Sequence, residues 1–344
     1  MFGHSGAGKS LTLQFIAGLL KPETGRIVVD GCAVFDSARG INLRPQERGV
    51  GYVVQDLALF PHMTVAGNVG FGIADGPERN RRVPRLLELF GISDLADRRP
   101  ATLSGGQRQR VALARAMGRD ARLLLLDEPF SALDESLRAS LRRELLRLRR
   151  DLGLTIVFVT HDLREAHLLA DRLAVFDAGR ILQFAPREDV FRRPISRRVA
   201  ELTGARNIFP ARVVSVEKDS AVIDADGVRL RCASVQPGIA AGDPADACIR
   251  PERVNLRRHA AGLENFLDAV IAEEFAFGAT HTLQFAPGGG GPSLEVELAA
   301  RPYEVLGVAG QRGWTLELPA DDLHVMPATP PQPLPPADPR PGRG

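Results

Sequence analysis

The chain has 344 residues, 44% of them hydrophobic and 25% charged, with a formal net charge of +2. That length exceeds one ordinary core and predicts two or three domains, and the composition is that of a soluble globular protein. With a charge so near zero, nothing global argues for a nucleic-acid partner. Lys occurs only at Lys9, Lys21 and Lys218, a bias we read as compositional. Cys32, Cys232 and Cys248 stand too far apart for a metal or redox motif and suggest a reducing compartment. No signal peptide is visible and no apolar run approaches the roughly 18 residues of a membrane span. Any membrane-crossing part is therefore expected from another subunit.

In chain order, the first two hundred residues alternate short apolar runs with helical stretches, which predicts an α/β domain with a largely parallel sheet. Gly3, His4, Ser5, Gly6, Ala7, Gly8, Lys9 and Ser10 fit the pattern G-x-x-x-x-G-K-[ST]. Its glycines let backbone N–H groups curl around phosphates, Lys9 reaches the β- and γ-phosphates, and Ser10 offers a hydroxyl to Mg²⁺. The helical pattern over 11–20 aims its positive end at the same anion. Strands are expected at 26–29, 50–54, 123–126 and 155–159, the last two buried on both faces. Between 64 and 117 the pattern turns helical, a helical insertion into the α/β core. Segments 173–176 and 180–184 flank the turn signal Asp177, Ala178, Gly179 and predict a hairpin. From about 205 the chain becomes strand-rich, with alternation at 211–216, 221–223 and 294–298, predicting a small β-barrel over 206–326. The Pro-rich stretch 327–344 cannot bury a core and is expected to be a disordered tail.

The leucine run ending in Asp127 and Glu128 supplies what the glycine loop lacks. Asp127 at a strand end is placed to hold the metal near Ser10, and Glu128 to polarise an attacking water. Leu103, Ser104, Gly105, Gly106 and Gln107 precede a helical pattern over 108–117, a second helix N-terminus facing an anion. Gln55 closes one strand, where an amide contacts Mg²⁺ or water; His161 follows another, where an imidazole contacts the γ-phosphate. Each has a structural alternative: Gln55 a surface amide, His161 a helix N-terminal residue, Ser104 an N-cap.

Together and in this order these residues resemble the ATP-binding cassette family over about residues 3–205. The resemblance implies a P-loop ATPase of α/β class, with 3–10 as Walker A and Asp127 with Glu128 as Walker B. It makes Glu128 the catalytic base, Gln55 the Q-loop and His161 the switch histidine. Ser131, Ala132, Leu133 and Asp134 match the D-loop. Bound ATP and Mg²⁺ are implied as cofactors, the metal held by Ser10, Asp127 and Gln55. Two cassettes pair head to tail in this family, so a homodimer is expected, each nucleotide lying between one Walker loop and the partner's residues 103–107.

Stretches 186–188, 190–194 and 199–209 resemble the importer branch. Ile249, Arg250, Pro251 and Glu252 resemble a marker of its TOBE-type C-terminal regulatory domain. Residues 39–46 and 51–62 look most like molybdate importers. The expected function is an ATPase energising import of an oxyanion such as molybdate or sulfate, at the cytoplasmic face of the inner membrane. The expected partners are two permease subunits and an extracytoplasmic solute-binding protein. Alternatives are an iron, polyamine or sugar importer, or a truncated, non-hydrolysing regulatory cassette. A soluble cassette acting on nucleic acid is disfavoured by a barrel region poor in the aromatics that stack bases, the whole chain holding two Tyr and one Trp. Leu57, Leu59, Phe60, Val69 and Phe71 either form a groove for a permease helix or pack the insertion. Arg250 and His281 are read as structural.

The sequence departs from the family in one respect: only Met1 and Phe2 precede the Walker loop, where a buried strand, a small antiparallel sheet and an adenine-stacking aromatic are usual. The expectation drawn from this is that translation begins upstream, and that the chain as written is unstable or weakly active.

Overall fold

A run of four leucines ending in Asp127 offers solvent no polar position, and it forms the middle strand of a parallel sheet. The computed structural model describes residues 1–119, 121, 123–131, 133–218, 220–259 and 264–328. The chain divides into two compact units, Met1–Leu182 and Gln183–Gly344.

In the first unit, α1 (Lys9–Ala17) leads to an antiparallel sheet of β1 (Arg26–Val29), β2 (Cys32–Asp36) and β3 (Ile41–Asn42). Next come β4 (Val50–Val53) and the helices α2 (Val65–Gly70), α3 (Pro77–Leu89) and α4 (Gly105–Ala116). The unit continues with β5 (Leu123–Asp127), α5 (Glu135–Leu152), β6 (Thr155–Val159), α6 (Leu163–Leu169) and β7 (Arg172–Asp177). Strand β7 pairs with β8 (Arg180–Pro186), along which the division into units falls. Strands β4, β5 and β6 run parallel in that order, with Val53 beside Leu126 and Asp127 beside Val159. This register brings the carboxyl ends of the strands, and the turns that follow them, to one edge, where ligands of open α/β sheets bind. Leu13 and Ala17 of α1 pack on Leu125 and Val159 beneath that edge.

Strand β6 is less buried than expected. Thr155 is exposed and Ile156 and Val157 are half-buried, because β5 covers one side while Phe2 reaches only the far end of the other. Phe2 is buried and bridges Thr160 and Val175, so the residues before the glycine loop run between β6 and β7. Helix α5 shows its amphipathic logic plainly. Leu141, Leu145 and Leu148 are buried along one stripe, Asp134 caps the start and left-handed Gly153 ends it.

The second unit opens with α7 (Arg187–Arg192) and α8 (Arg197–Leu202), followed by β9 (Asn207–Glu217), β10 (Ser220–Ala225), β11 (Val228–Cys232), β12 (Ser234–Val235) and β13 (Pro244–Ile249). It closes with β14 (Asn255–Arg257), β15 (Phe266–Phe277), β16 (Thr280–Pro287), β17 (Leu294–Ala299), α9 (Ala300–Leu306), β18 (Gly313–Glu317) and β19 (His324–Pro327). One sheet has the order β11-β10-β9-β13-β19-β12, the other β14-β18-β15-β16-β17. The β-rich region expected from the sequence is thus a pair of sheets. Val213, Ile223 and Leu230 of the first share one core with Leu283, Phe285 and Leu316 of the second.

The units divide at 182, not at the expected 205. Helices α7 and α8 go with the β-rich unit because its polar groups hold them: Arg250 donates to the carbonyls of Phe191 and Thr203, and Arg197 to both carboxylate oxygens of Asp246. At the other end, Pro327 closes β19 opposite Ala245. The rest of the expected tail, from 329, lies outside the described residues, as does Ala132. Among the described residues no helix is long and apolar enough to cross a membrane.

Candidate active site

The glycine loop is anchored at its start. The Phe2 amide donates to the Ala174 carbonyl at 2.8 Å, and the Phe176 amide to the Phe2 carbonyl at 2.7 Å. Gly3 then adopts φ 154°, and a Cβ there would strike the Phe176 carbonyl oxygen, so the site accepts only glycine. Gly8, at φ 93°, turns the chain into α1. Lys9 is buried, its Nζ donating to the Gly3 and His4 carbonyls at 2.8 Å each. Burial pulls its ammonium below the usual lysine range, opposed by the charges of Glu128 and Asp127. Burial likewise lowers the Met1 amine, which donates to the Phe158 carbonyl, to about 5.

Ser10 Oγ donates to Asp127 Oδ1 at 2.8 Å, while the Tyr52 hydroxyl donates to the other oxygen at 3.3 Å. Burial and the neighbouring Asp127 charge push the Tyr52 hydroxyl up to about 12. Glu128 follows with φ 45°, a left-handed backbone that a non-glycine residue rarely adopts. Three contacts hold it there: its amide on the Val159 carbonyl, and its own carbonyl on the Ser131 amide and hydroxyl. Across the edge, His161 Nδ1 lies 3.1 Å from Glu128 Oε1. The imidazole is 55% exposed and Glu128 only 15%, so the carboxylate is sheltered and the ring faces solvent.

Phosphate loop, buried ammonium, hydroxyl–carboxylate pair and carboxylate–imidazole pair thus converge on one sheet edge. Residues 1–131 match the family described as ABC transporter. The chain is 40% identical over 295 residues to the spermidine/putrescine import ATP-binding protein PotA of Roseobacter denitrificans, covering 84% of this chain and 79% of that one. It is 41% identical over 268 residues to the Fe(3+) ions import ATP-binding protein FbpC of Brucella abortus, covering 76% and 73%. The chain belongs to the ABC transporter ATP-binding proteins. Among solved structures, cbiO1 from Clostridium perfringens, part of the ABC transporter complex cbiONQ, matches 58% of this chain and 81% of its own at TM-score 0.50 and 33% identity. The first unit is accordingly an ABC-type P-loop ATPase fold, and the protein is an ATP-binding, ATP-hydrolysing subunit.

Other motif residues of this ABC protein stand apart from that cluster. Ser104 is the N-cap of α4, its hydroxyl accepting from the Gln107 amide and the Gln107 side chain accepting from the Ser104 amide. This capping box leaves Ser104 exposed at a helix start, and none of residues 103–107 bonds to the glycine loop among the described residues. Gln55 is exposed two residues past β4, with no side-chain hydrogen bond among the described residues. The segment after it divides the apolar residues: Val69 is fully buried, whereas Phe71 is exposed and stands 4.3 Å from the Phe60 ring. Arg250 and His281 are satisfied, the first by carbonyls of its own unit, the second by Glu274 and a 3.7 Å stack on Tyr303.

Sequence reasoning missed Tyr52, Arg142, Thr160 and Glu165. Tyr52 sits on β4 three residues before Gln55, but a lone hydroxyl on a strand gives no pattern. Arg142 belongs to a helix with several exposed arginines, and only its 5% exposure sets it apart.

Proposed function

We propose that this chain energises solute import, one of a pair of ATPase subunits acting on separate permease subunits at the cytoplasmic membrane face. The observation that carries the catalytic part is the convergence of Lys9, Ser10–Asp127 and Glu128–His161 on one sheet edge. The import part rests on the relatives, named as importers and similar along most of the chain.

Lys9 already lies inside the loop, so the β- and γ-phosphates of ATP replace the Gly3 and His4 carbonyls as its partners. Ser10 and Asp127 fit Mg²⁺: two hard oxygen donors stand 2.8 Å apart. Among the described residues no cluster of three acidic, His or Cys groups is found, so Ser10 and Asp127 are the protein groups that would hold the metal. When bound, the metal neutralises charge developing on the phosphates. Glu128 orients a water and takes its proton; His161, held on Glu128, contacts the γ-phosphate. Gln55, exposed two residues past β4, would offer its amide to the metal or to water. Residues 103–107 of a second copy close over the nucleotide, consistent with Ser104 lying exposed at its helix start.

For the cargo, relatives with polyamine and ferric-iron names outweigh the short stretches that suggested molybdate or sulfate. Both names denote cationic solutes, and we take the cargo to be cationic. A TOBE-type regulatory role for the β-rich unit, and a solute-binding protein outside the membrane, remain part of this reading. The test is ATP-dependent uptake by vesicles carrying the subunit with its permeases. Uptake of spermidine or ferric iron supports the reading, whereas uptake of molybdate alone returns the oxyanion reading.

A further inference from the structure

His161 sits exposed in the three-residue turn between β6 and α6, where among the described residues the ring's hydrogen-bond partner is Glu128. The backbone on both sides of it is held from beneath. Thr160 is 3% exposed; its hydroxyl donates to Glu165 Oε2 at 2.5 Å and accepts from the Asp162 amide at 3.0 Å. The other oxygen of Glu165 accepts from Arg142 Nη2 of α5 at 2.9 Å, and both side chains are 6% exposed.

We propose that Glu165 is a positioning residue for hydrolysis. Through Thr160 it fixes the turn that presents His161 to Glu128, and through Arg142 it ties that turn to the helix that follows Glu128. The inference rests on the proposed role of His161. The same guanidinium lies 5.9 Å over the Phe130 ring, two residues past Glu128, so one buried charge touches both segments bearing the pair. Its remaining neighbours are Asp162 at 3.6 Å and Glu135 at 3.4 Å. A small cavity of about 100 Å³ lies between clamp and pair, lined by Glu128, Thr160, His161 and Glu165 among others. A buried ion pair is a poor source of stability, because desolvation offsets its attraction and a well-packed apolar pair serves as well. What it supplies is directional geometry: Glu165 accepts from Thr160 on one oxygen and from Arg142 on the other, while Thr160 accepts from the Asp162 amide. A misplacement of about 1 Å in such a constellation costs on the order of a hundredfold in rate.

The experiment is steady-state ATPase kinetics of the full chain bearing Thr160→Val, Thr160→Ser, Glu165→Gln or His161→Ala, with melting temperatures recorded in parallel. Thr160→Val and Glu165→Gln are expected to lower kcat roughly ten- to hundredfold while leaving KM for ATP within about threefold. Thr160→Ser, which keeps the hydroxyl, is expected to restore wild-type kcat. In the His161→Ala background, Thr160→Val should cost nothing further, since both act through one imidazole. Wild-type kcat in Thr160→Val, alongside a slow His161→Ala enzyme, overturns the clamp and leaves the reading of His161 standing. Wild-type kcat in His161→Ala overturns that reading and the clamp with it. Should Thr160→Val not fold, Glu165→Asp decides, because it keeps the charge but shortens the reach. A loss of kcat at unchanged melting temperature supports the proposal, and wild-type kcat overturns it.

Discussion

Glu128 and His161 follow neighbouring parallel strands, and their side chains meet at 3.1 Å because the register sets Asp127 beside Val159. The contact joins a sheltered carboxylate on a left-handed backbone to a solvent-facing ring. It therefore depends on backbone that the surroundings hold rather than on local preference.

Gly3 tests the entrance of the phosphate loop. A methyl there meets the Phe176 carbonyl, so Gly3→Ala must push the loop away from β7. The expected cost is about 1–3 kcal/mol of stability, with weaker ATP binding. Urea unfolding beside a nucleotide titration checks both, and an unchanged pair of values would show that the loop tolerates the shift.

The β-rich unit should lose stability in acid through His324. Its Nε2 donates to the Pro194 carbonyl, its Nδ1 accepts from Ser234, and burial lowers its pKa from 6.5 to about 4. Between those values the unfolded chain binds a proton that the folded chain refuses, so stability falls as pH drops from 6.5 towards 4. The shift corresponds to roughly 3 kcal/mol at the acid end. In His324→Asn the dependence over that window should flatten; the same slope in the variant would assign it to other groups.

Cysteine labelling should distinguish the three thiols. Cys32 is exposed, while Cys232 and Cys248 are buried and burial pushes both up to about 12. At pH 8 a thiol reagent should modify one cysteine rapidly in the native protein and all three in denaturant. Rapid native labelling at Cys232 or Cys248 would mean that the β core opens.

Arg250 should hold α7 and α8 to the β-rich unit. Its guanidinium donates to two main-chain carbonyls, stands 5.1 Å over the Phe191 ring, and has its pKa lowered by burial. Arg250→Met is expected to lower stability by about 2–4 kcal/mol and to leave ATP turnover per folded molecule unchanged. Denaturation of the full chain measures the first, and turnover normalised to folded protein the second. Wild-type stability would show that apolar contacts alone hold the helices.

Much of the site was legible because its chemistry is local in sequence. The glycine spacing around Lys9, the acidic end of the leucine strand and His161, two residues past β6, each lie within a few positions of a strand end. What stayed hidden depends on distant contacts. Thr160, Glu165 and Arg142 meet only once two helices and a strand have packed. An Arg on an arginine-rich helix looks solvated until its burial is known. The boundary at 182 was hidden for the same reason, since the bonds that move α7 and α8 into the second unit come from Arg250 and Asp246, some fifty residues on. The half-exposed start of β6 was missed because an apolar strand was read as covered on both sides. For the cargo, the relatives' names favour the alternative of a polyamine or iron importer, whereas the short stretches resembling molybdate importers cover little of the chain.

ATP turnover of the purified chain beside its Glu128→Gln variant, with nucleotide binding measured on both, tests the central claim most directly. The account predicts that the variant binds ATP as the wild type does and loses at least about a hundredfold in turnover. Equal turnover in the two proteins would contradict it, because water activation would then lie elsewhere than on the carboxylate beside His161.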